Sequence, residues 1–151
     1  MTGTALPDRD AARALVDAHL QGDVRAESAV QHVEFDPELD RWYVRFGCEG
    51  RDAATVYVDL HQRSLRFELY FLPLPEDGAR RSGVVEMLMR RNHALHGVHF
   101  SVGPDGDAYL MGRILLQHLD TTELDRMLGS VFEAVESWFP AAVRLAYGAR
   151  P

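Results

Sequence analysis

The chain has 151 residues, 46% of them apolar and 26% charged, which is enough to close one core and too short for two. That balance excludes disorder as the default, and no run approaches the roughly 18 apolar residues of a membrane span. The net charge of −7 argues against a nucleic-acid backbone as partner, and the single cysteine, Cys48, excludes an internal disulfide or a cysteine-rich zinc site.

All 16 basic residues are arginine, a bias that GC-rich coding explains. The start, MTGTALPDRDAARALVD, lacks a basic stretch followed by an apolar one, so no secretory signal is expected and the expected location is cytoplasmic. In chain order, Asp10 to Leu20 carries Ala12, Leu15, Val16 and Leu20 at helical spacing, and Gly22 is expected to stop this first helix. From Val30 the period becomes two. Val30, His32 and Glu34 alternate with Gln31, Val33 and Phe35 in a short strand with no dominant face, and Asp36 to Asp40 makes a polar turn. The next strand puts Trp42, Val44, Phe46 and Cys48 on one face, with Tyr43 and Arg45 opposite; Cys48-Glu49-Gly50-Arg51-Asp52 is a loop. Val56, Val58 and Leu60 oppose Thr55, Tyr57 and Asp59, and Leu65, Phe67, Leu69 and Phe71 oppose Arg66, Glu68 and Tyr70. Consecutive amphipathic strands on short connections predict an antiparallel meander.

Pro73 to Gly78 ends the meander, and a second helix is expected from about Ser82 to His96, closed by Gly97 in a left-handed conformation. Val98 to Val102 and Ala108 to Leu115 read as a hairpin around Gly103-Pro104-Asp105-Gly106-Asp107. The last helix starts at Asp120, with Glu123 placed as in a capping box. Leu124, Met127, Leu128, Val131, Phe132, Val135, Trp138 and Phe139 follow at helical spacing, and Pro140 is expected to bend or break it. The predicted class is α+β in the order α-β-β-β(-β)-α-β-β-α, an antiparallel sheet with helices mainly on one face.

The tracts Arg41-Trp42-Tyr43-Val44-Arg45-Phe46 and Leu65-Arg66-Phe67-Glu68-Leu69-Tyr70 resemble the middle of the YbjN family. So do Leu88 to Ser101, Asp105 to Leu110 and the segment Glu123 to Leu128, so that the resemblance covers about Ala11 to Leu145. It implies the fold of type III secretion chaperones, a curved antiparallel sheet with helices, often dimeric, in proteins labelled as sensory-transduction regulators. It carries no catalytic residues. Asn92 is the family's most recognisable polar position, without a role that can be carried over. The expected division is a short tail over 1–10, one YbjN-like domain over 11–147 and a tail over 148–151.

His93 and His96 are spaced as a helical ligand pair, but Gly97 separates them from His99 and no nearby acid or cysteine completes a set, so no metal or other cofactor is expected. Ser101 shares a strand face with His99, yet nothing signals an orienting acid or an oxyanion hole, and Cys48 reads as packing. Asp105-Gly106-Asp107 lacks the rest of a calcium loop and reads as a turn; Glu133 and Glu136 read as solvated. The informative feature is the second face of the sheet. Tyr43, Tyr57, Tyr70 and Tyr109 fall there with Arg45, Arg66, Glu68, Met111 and Arg113, types enriched in binding patches, although tyrosine also favours exposed strand positions.

The expectation is a non-enzymatic, chaperone-like protein-binding module, a homodimer, that offers this face or a sheet edge to an unidentified protein or peptide client. Nucleic acid and membrane are not expected as partners. Met87, Met89 and Leu95 would suit dimerisation through the second helix, or core packing. The alternative is a small-molecule sensor or an unassigned enzyme with its pocket in the concavity of the sheet.

Overall fold

A computed structural model describes residues 8–26, 28–48 and 53–148 of the chain. Glu49, Gly50, Arg51 and Asp52, most of the loop expected after Cys48, lie outside the described residues, as do 1–7 and 149–151 of the two expected tails.

Helix α1 (Arg9–Arg25) starts where the Asp8 carboxylate accepts from the Asp10 amide, and it buries Ala12, Val16 and Leu20. It does not stop at Gly22 as expected. A helical glycine costs about 1 kcal/mol relative to alanine, and the turn beyond it packs Val24 against the core. Four strands follow: β1 (Val30–Asp36), β2 (Arg41–Phe46), β3 (Ala54–Leu60) and β4 (Ser64–Leu72). Register in β1 shifts between Val30 and His32, so Val30 and Val33 are both buried three residues apart. That bulge is why the alternation of β1 shows no dominant face in the sequence. Cys48 lies two residues past the end of β2, packed partly against the core, and is not a strand residue.

Helix α2 (Gly78–Asn92) starts earlier than expected because Asp77 caps it, accepting from the amides of Ala79 and Arg80. It also ends four residues earlier than expected. The Asn92 side chain turns to strand β5 (Val98–Val102), donating from Nδ2 to the Phe100 carbonyl at 3.0 Å and accepting from its amide at 2.6 Å. Gly97 is left-handed, at φ 78°, but it leads into β5 and does not terminate α2. Strand β6 (Ala108–Leu115) completes the hairpin, and a short 3-10 turn, Leu116–His118, leads to α3 (Thr121–Tyr147). Asp120 caps α3 by accepting from the Glu123 amide, while the Glu123 carboxylate pairs with Arg126 and does not close the capping box. Pro140 does not break α3. It removes the donor to the Glu136 carbonyl, but the helix continues because Ala142 and Ala146 are buried beyond it.

The sheet is antiparallel throughout, in the order β1-β2-β3-β4-β6-β5. One face is sealed: Trp42, Val44, Val56, Val58, Leu65, Phe67, Leu69 and Leu110 are buried there with residues of all three helices. Phe46 meets Phe132 of α3 at 5.4 Å, and Phe71 meets Phe100 and Phe139. Trp42, fully buried, donates from Nε1 to Asp17 of α1, and Arg9 and Arg13 both bind Asp40 in the β1–β2 turn. The class is therefore α+β with an open six-stranded sheet, as the pattern predicts.

Strand β5 is an edge, and Asn92 occupies its outer main-chain groups at Phe100, which blunts it against pairing with another chain. Replacing Asn92 with alanine deprives both groups of partners and is expected to cost about 1–3 kcal/mol. Urea unfolding reads the loss, and hydrogen exchange at the Phe100 amide should accelerate more than elsewhere in β5. Unchanged exchange there would contradict the clamp.

Candidate functional site

The outer face follows from the register. Across its middle run Glu34, Tyr43, Tyr57, Glu68, Met111 and His99, each opposite the next. Along one end run Asp36, Arg41, Asp59, Arg66 and Arg113. Toward the other end, Arg45 lies between His32 and Thr55, and Tyr109 lies between Tyr70 and Ser101. All nine residues expected on this face, Tyr43, Arg45, Tyr57, Arg66, Glu68, Tyr70, Tyr109, Met111 and Arg113, share it. No helix among the described residues covers it: Tyr57 is 39% exposed and Tyr70 41%.

The four tyrosines form two edge-to-face pairs. Tyr43 and Tyr57 lie 5.0 Å apart between ring centroids, and Tyr70 and Tyr109 lie 5.3 Å apart. The Arg41 guanidinium stands 4.8 Å over Tyr57 and binds Asp59 through two hydrogen bonds of 2.6 and 3.1 Å. Asp59, 8% exposed, is the buried charge of the face, and its hydrogen bonds hold Arg41 firmly protonated. At the other end Tyr70 donates to Asp107 at 2.6 Å and Tyr109 donates to Asp105, so the turn between β5 and β6 fixes both rings. The face is stiffened by its own side chains, without help from the helices.

The arginines are not equivalent. Arg66 binds Glu68 at 2.8 Å and is neutralised. Arg45 and Arg113 are exposed and have no acidic partner among the described residues. Arg113 also stands directly opposite Arg66, a like-charge pairing that the sheet itself does not reward. Beside it is a shallow cavity of about 720 Å³, lined by His61, Arg66, His99 and Arg113 among others. A second depression, of about 340 Å³, lies over Thr55, Tyr57, Glu68, Tyr70 and Tyr109.

The other candidates fall elsewhere. His93 follows the end of α2 and His96 the turn after it, both exposed, and His96 lines a surface cavity between α2 and α3. The Ser101 hydroxyl lies 3.3 Å from the Met111 sulfur. Glu133 is exposed and Glu136 half-buried. Met87 and Leu95 pack partly against the core, while Met89 is 63% exposed. The sequence puts Asp59 on this face and Asp105 and Asp107 in a turn without assigning them a role, and it leaves out Arg41. Arg41 shares the strand parity of the tyrosines and could have been found by it; the bonds of the turn carboxylates carry no such signal.

The hydrogen bonds to Asp107 and Asp105, followed by partial burial, push the phenols of Tyr70 and Tyr109 up to about 12 from 10.0. A folded-state pKa above the unfolded one stabilises the fold fully below about pH 10 and ceases to do so as pH rises through about 12. In a titration followed by phenolate absorbance, the last step should lie near pH 12 and should shrink when Asp105 and Asp107 are both changed to asparagine. An unaltered last step would contradict these bonds.

The model of the YbjN family, described as "Putative bacterial sensory transduction regulator", matches residues 12–143. An uncharacterized protein of Mycobacterium leprae is 34% identical over 109 residues, covering 72% of this chain and 58% of that protein. The chain spans about half the length of the curated relatives it matches. Among solved structures, the HopA1–SchA chaperone–effector complex aligns with a TM-score of 0.55 at 13% identity, covering 88% of this chain and 98% of that one. The Yersinia pestis type III secretion chaperone SycH, solved with a stable fragment of YscM2, aligns with a TM-score of 0.53 at 14% identity, covering 80% and 96%. Identities this low speak for the fold alone, which is that of the type III secretion chaperones. With the family model spanning nearly the whole domain, the chain belongs to the YbjN family.

Proposed function

We propose that this chain is a non-enzymatic, chaperone-like module that binds a protein client on the outer face of its sheet. The observation that carries the reading is the lopsided sheet. Six strands bury one face under three helices and leave the other bare, with paired tyrosines flanked by Arg45 and Arg113, whose charges have no acidic partner among the described residues. Tyrosine pairs held by Asp105, Asp107 and Arg41 offer wide contact area at little entropic cost, because their rings are already fixed. The unpaired arginines favour an acidic segment in the client. The two solved neighbours, a chaperone with an effector and a chaperone with a partner fragment, support a protein as the ligand class.

Docking through side chains is the favoured mode. Main-chain addition at β5 is opposed by Asn92, which leaves β1 as the other edge strand. A small-molecule sensor finds support in the depression of about 340 Å³ over Tyr57 and Tyr70, but its lining comes from open strands and offers little enclosure. Self-association through the same face would make a homodimer of the resting state, and light scattering reads this directly.

The triple variant Tyr57→Ser, Tyr70→Ser, Arg113→Ser should keep its circular dichroism spectrum, since none of the three belongs to the sealed core. It should lose at least about tenfold in affinity for the partners that the unaltered chain captures from its native host, as expected when buried aromatic anchors are removed. Retention of the same partners at the same affinity would contradict the reading.

A further inference from the structure

On the helix side of the sheet, away from the tyrosine face, three ligand-bearing side chains converge. His19 and Asp23 stand one turn apart on α1 and so project from the same side of it. Asp125 reaches them from the second turn of α3. His19 Nε2 is 2.7 Å from Asp125 Oδ1 and 3.9 Å from Asp23 Oδ2, and one ligand atom from each residue lies within 4.8 Å of the others. No other group of three or more histidine, cysteine or acidic ligands converges in this way among the described residues.

An ion pair accounts for only half of this arrangement. The imidazole has one nitrogen facing two carboxylates, and that nitrogen is taken by Asp125. Asp23, three-quarters buried, accepts no side-chain hydrogen bond among the described residues. Asp23 thus stands beside a second acid and the one imidazole nitrogen that faces them both, with no side-chain donor of its own among the described residues.

We propose that His19, Asp23 and Asp125 are the protein ligands of a divalent transition-metal site, with Zn²⁺ as the fitting ion, that ties α1 to α3. One imidazole nitrogen and two carboxylate oxygens suit Zn²⁺, whereas Ca²⁺ and Mg²⁺ favour oxygen alone. Tetrahedral ligands about 2.1 Å from the ion stand roughly 3.4 Å apart. The present separations reach that spacing by opening the His19–Asp125 contact and drawing Asp23 in. Three protein ligands would leave a fourth position free, and Asp23 and Asp125 also line an apolar groove of about 210 Å³ with Val30, Phe46, Leu128 and Phe132. The site is independent of the outer face, so the failure of either reading leaves the other intact.

The test uses the tag-free chain, stripped with a chelator and titrated calorimetrically with Zn²⁺ alone, with Co²⁺ absorption reporting the coordination geometry. One equivalent should bind, and Zn²⁺ should raise the melting temperature by mass action. Asp23→Asn leaves the His19–Asp125 pair in place, so it separates metal binding from the ion pair; it should fold normally and weaken Zn²⁺ at least tenfold. His19→Ala should abolish both the binding and the thermal shift, while His93→Ala with His96→Ala should change neither. The absence of saturable binding, full affinity in Asp23→Asn, or loss on replacing His93 and His96 would each overturn the proposal.

Discussion

Six strands with period-two alternation deliver a continuous apolar surface, and that surface is larger than any one helix of this chain can cover. All three helices are therefore drawn to the same side. Trp42, Phe67 and Leu110 are fully buried there, and α3, the longest element, tolerates Pro140 because its final turns still bury Ala142 and Ala146. The cost of an interrupted helical hydrogen bond is small beside the apolar area those turns remove from water. With all three described helices committed to that side, none is left among the described residues to cover the reverse of the sheet.

A bare sheet face invites collapse or aggregation unless its side chains satisfy one another. Here they do so in two different ways. At one end charges alternate across the strands, Asp36, Arg41, Asp59 and Arg66, with Asp59 buried and held by a partly exposed Arg41. At the other end tyrosine hydroxyls are tied to the carboxylates of the β5–β6 turn. Asn92 performs the matching task at the edge, occupying the main chain of Phe100. The residues left over from this mutual satisfaction, Arg45 and Arg113 with the open faces of Tyr57 and Tyr70, are those a partner can use.

Most of this architecture is legible in the sequence, because parity alone sorts a strand's residues onto two faces. Every strand from Arg41 to Leu115 keeps the faces its alternation predicts, although β2 ends short of Cys48, and the nine outer-face residues follow from the same count. What parity cannot give is anything carried by a side chain reaching out of its own element. Helix α2 ends at Asn92 because of a strand six residues later, and β1 hides its inner face behind a bulge at Gln31. The convergence of His19 and Asp23 with Asp125 joins positions more than a hundred residues apart and leaves no local pattern. Gly22 misleads for the same reason, and Pro140 does not break α3: tertiary burial outweighs their local penalties.

The central claim is that the uncovered tyrosine face is the surface a client occupies. Hydroxyl-radical footprinting of the chain, free and with a client captured from its native host, measures this residue by residue. The account predicts that Tyr57 and Tyr70 are oxidised in the free chain and protected in the complex, while exposed Met89 on α2 is modified equally in both. Protection of Met89 with Tyr57 and Tyr70 still reactive would place the client on the helices and contradict the account.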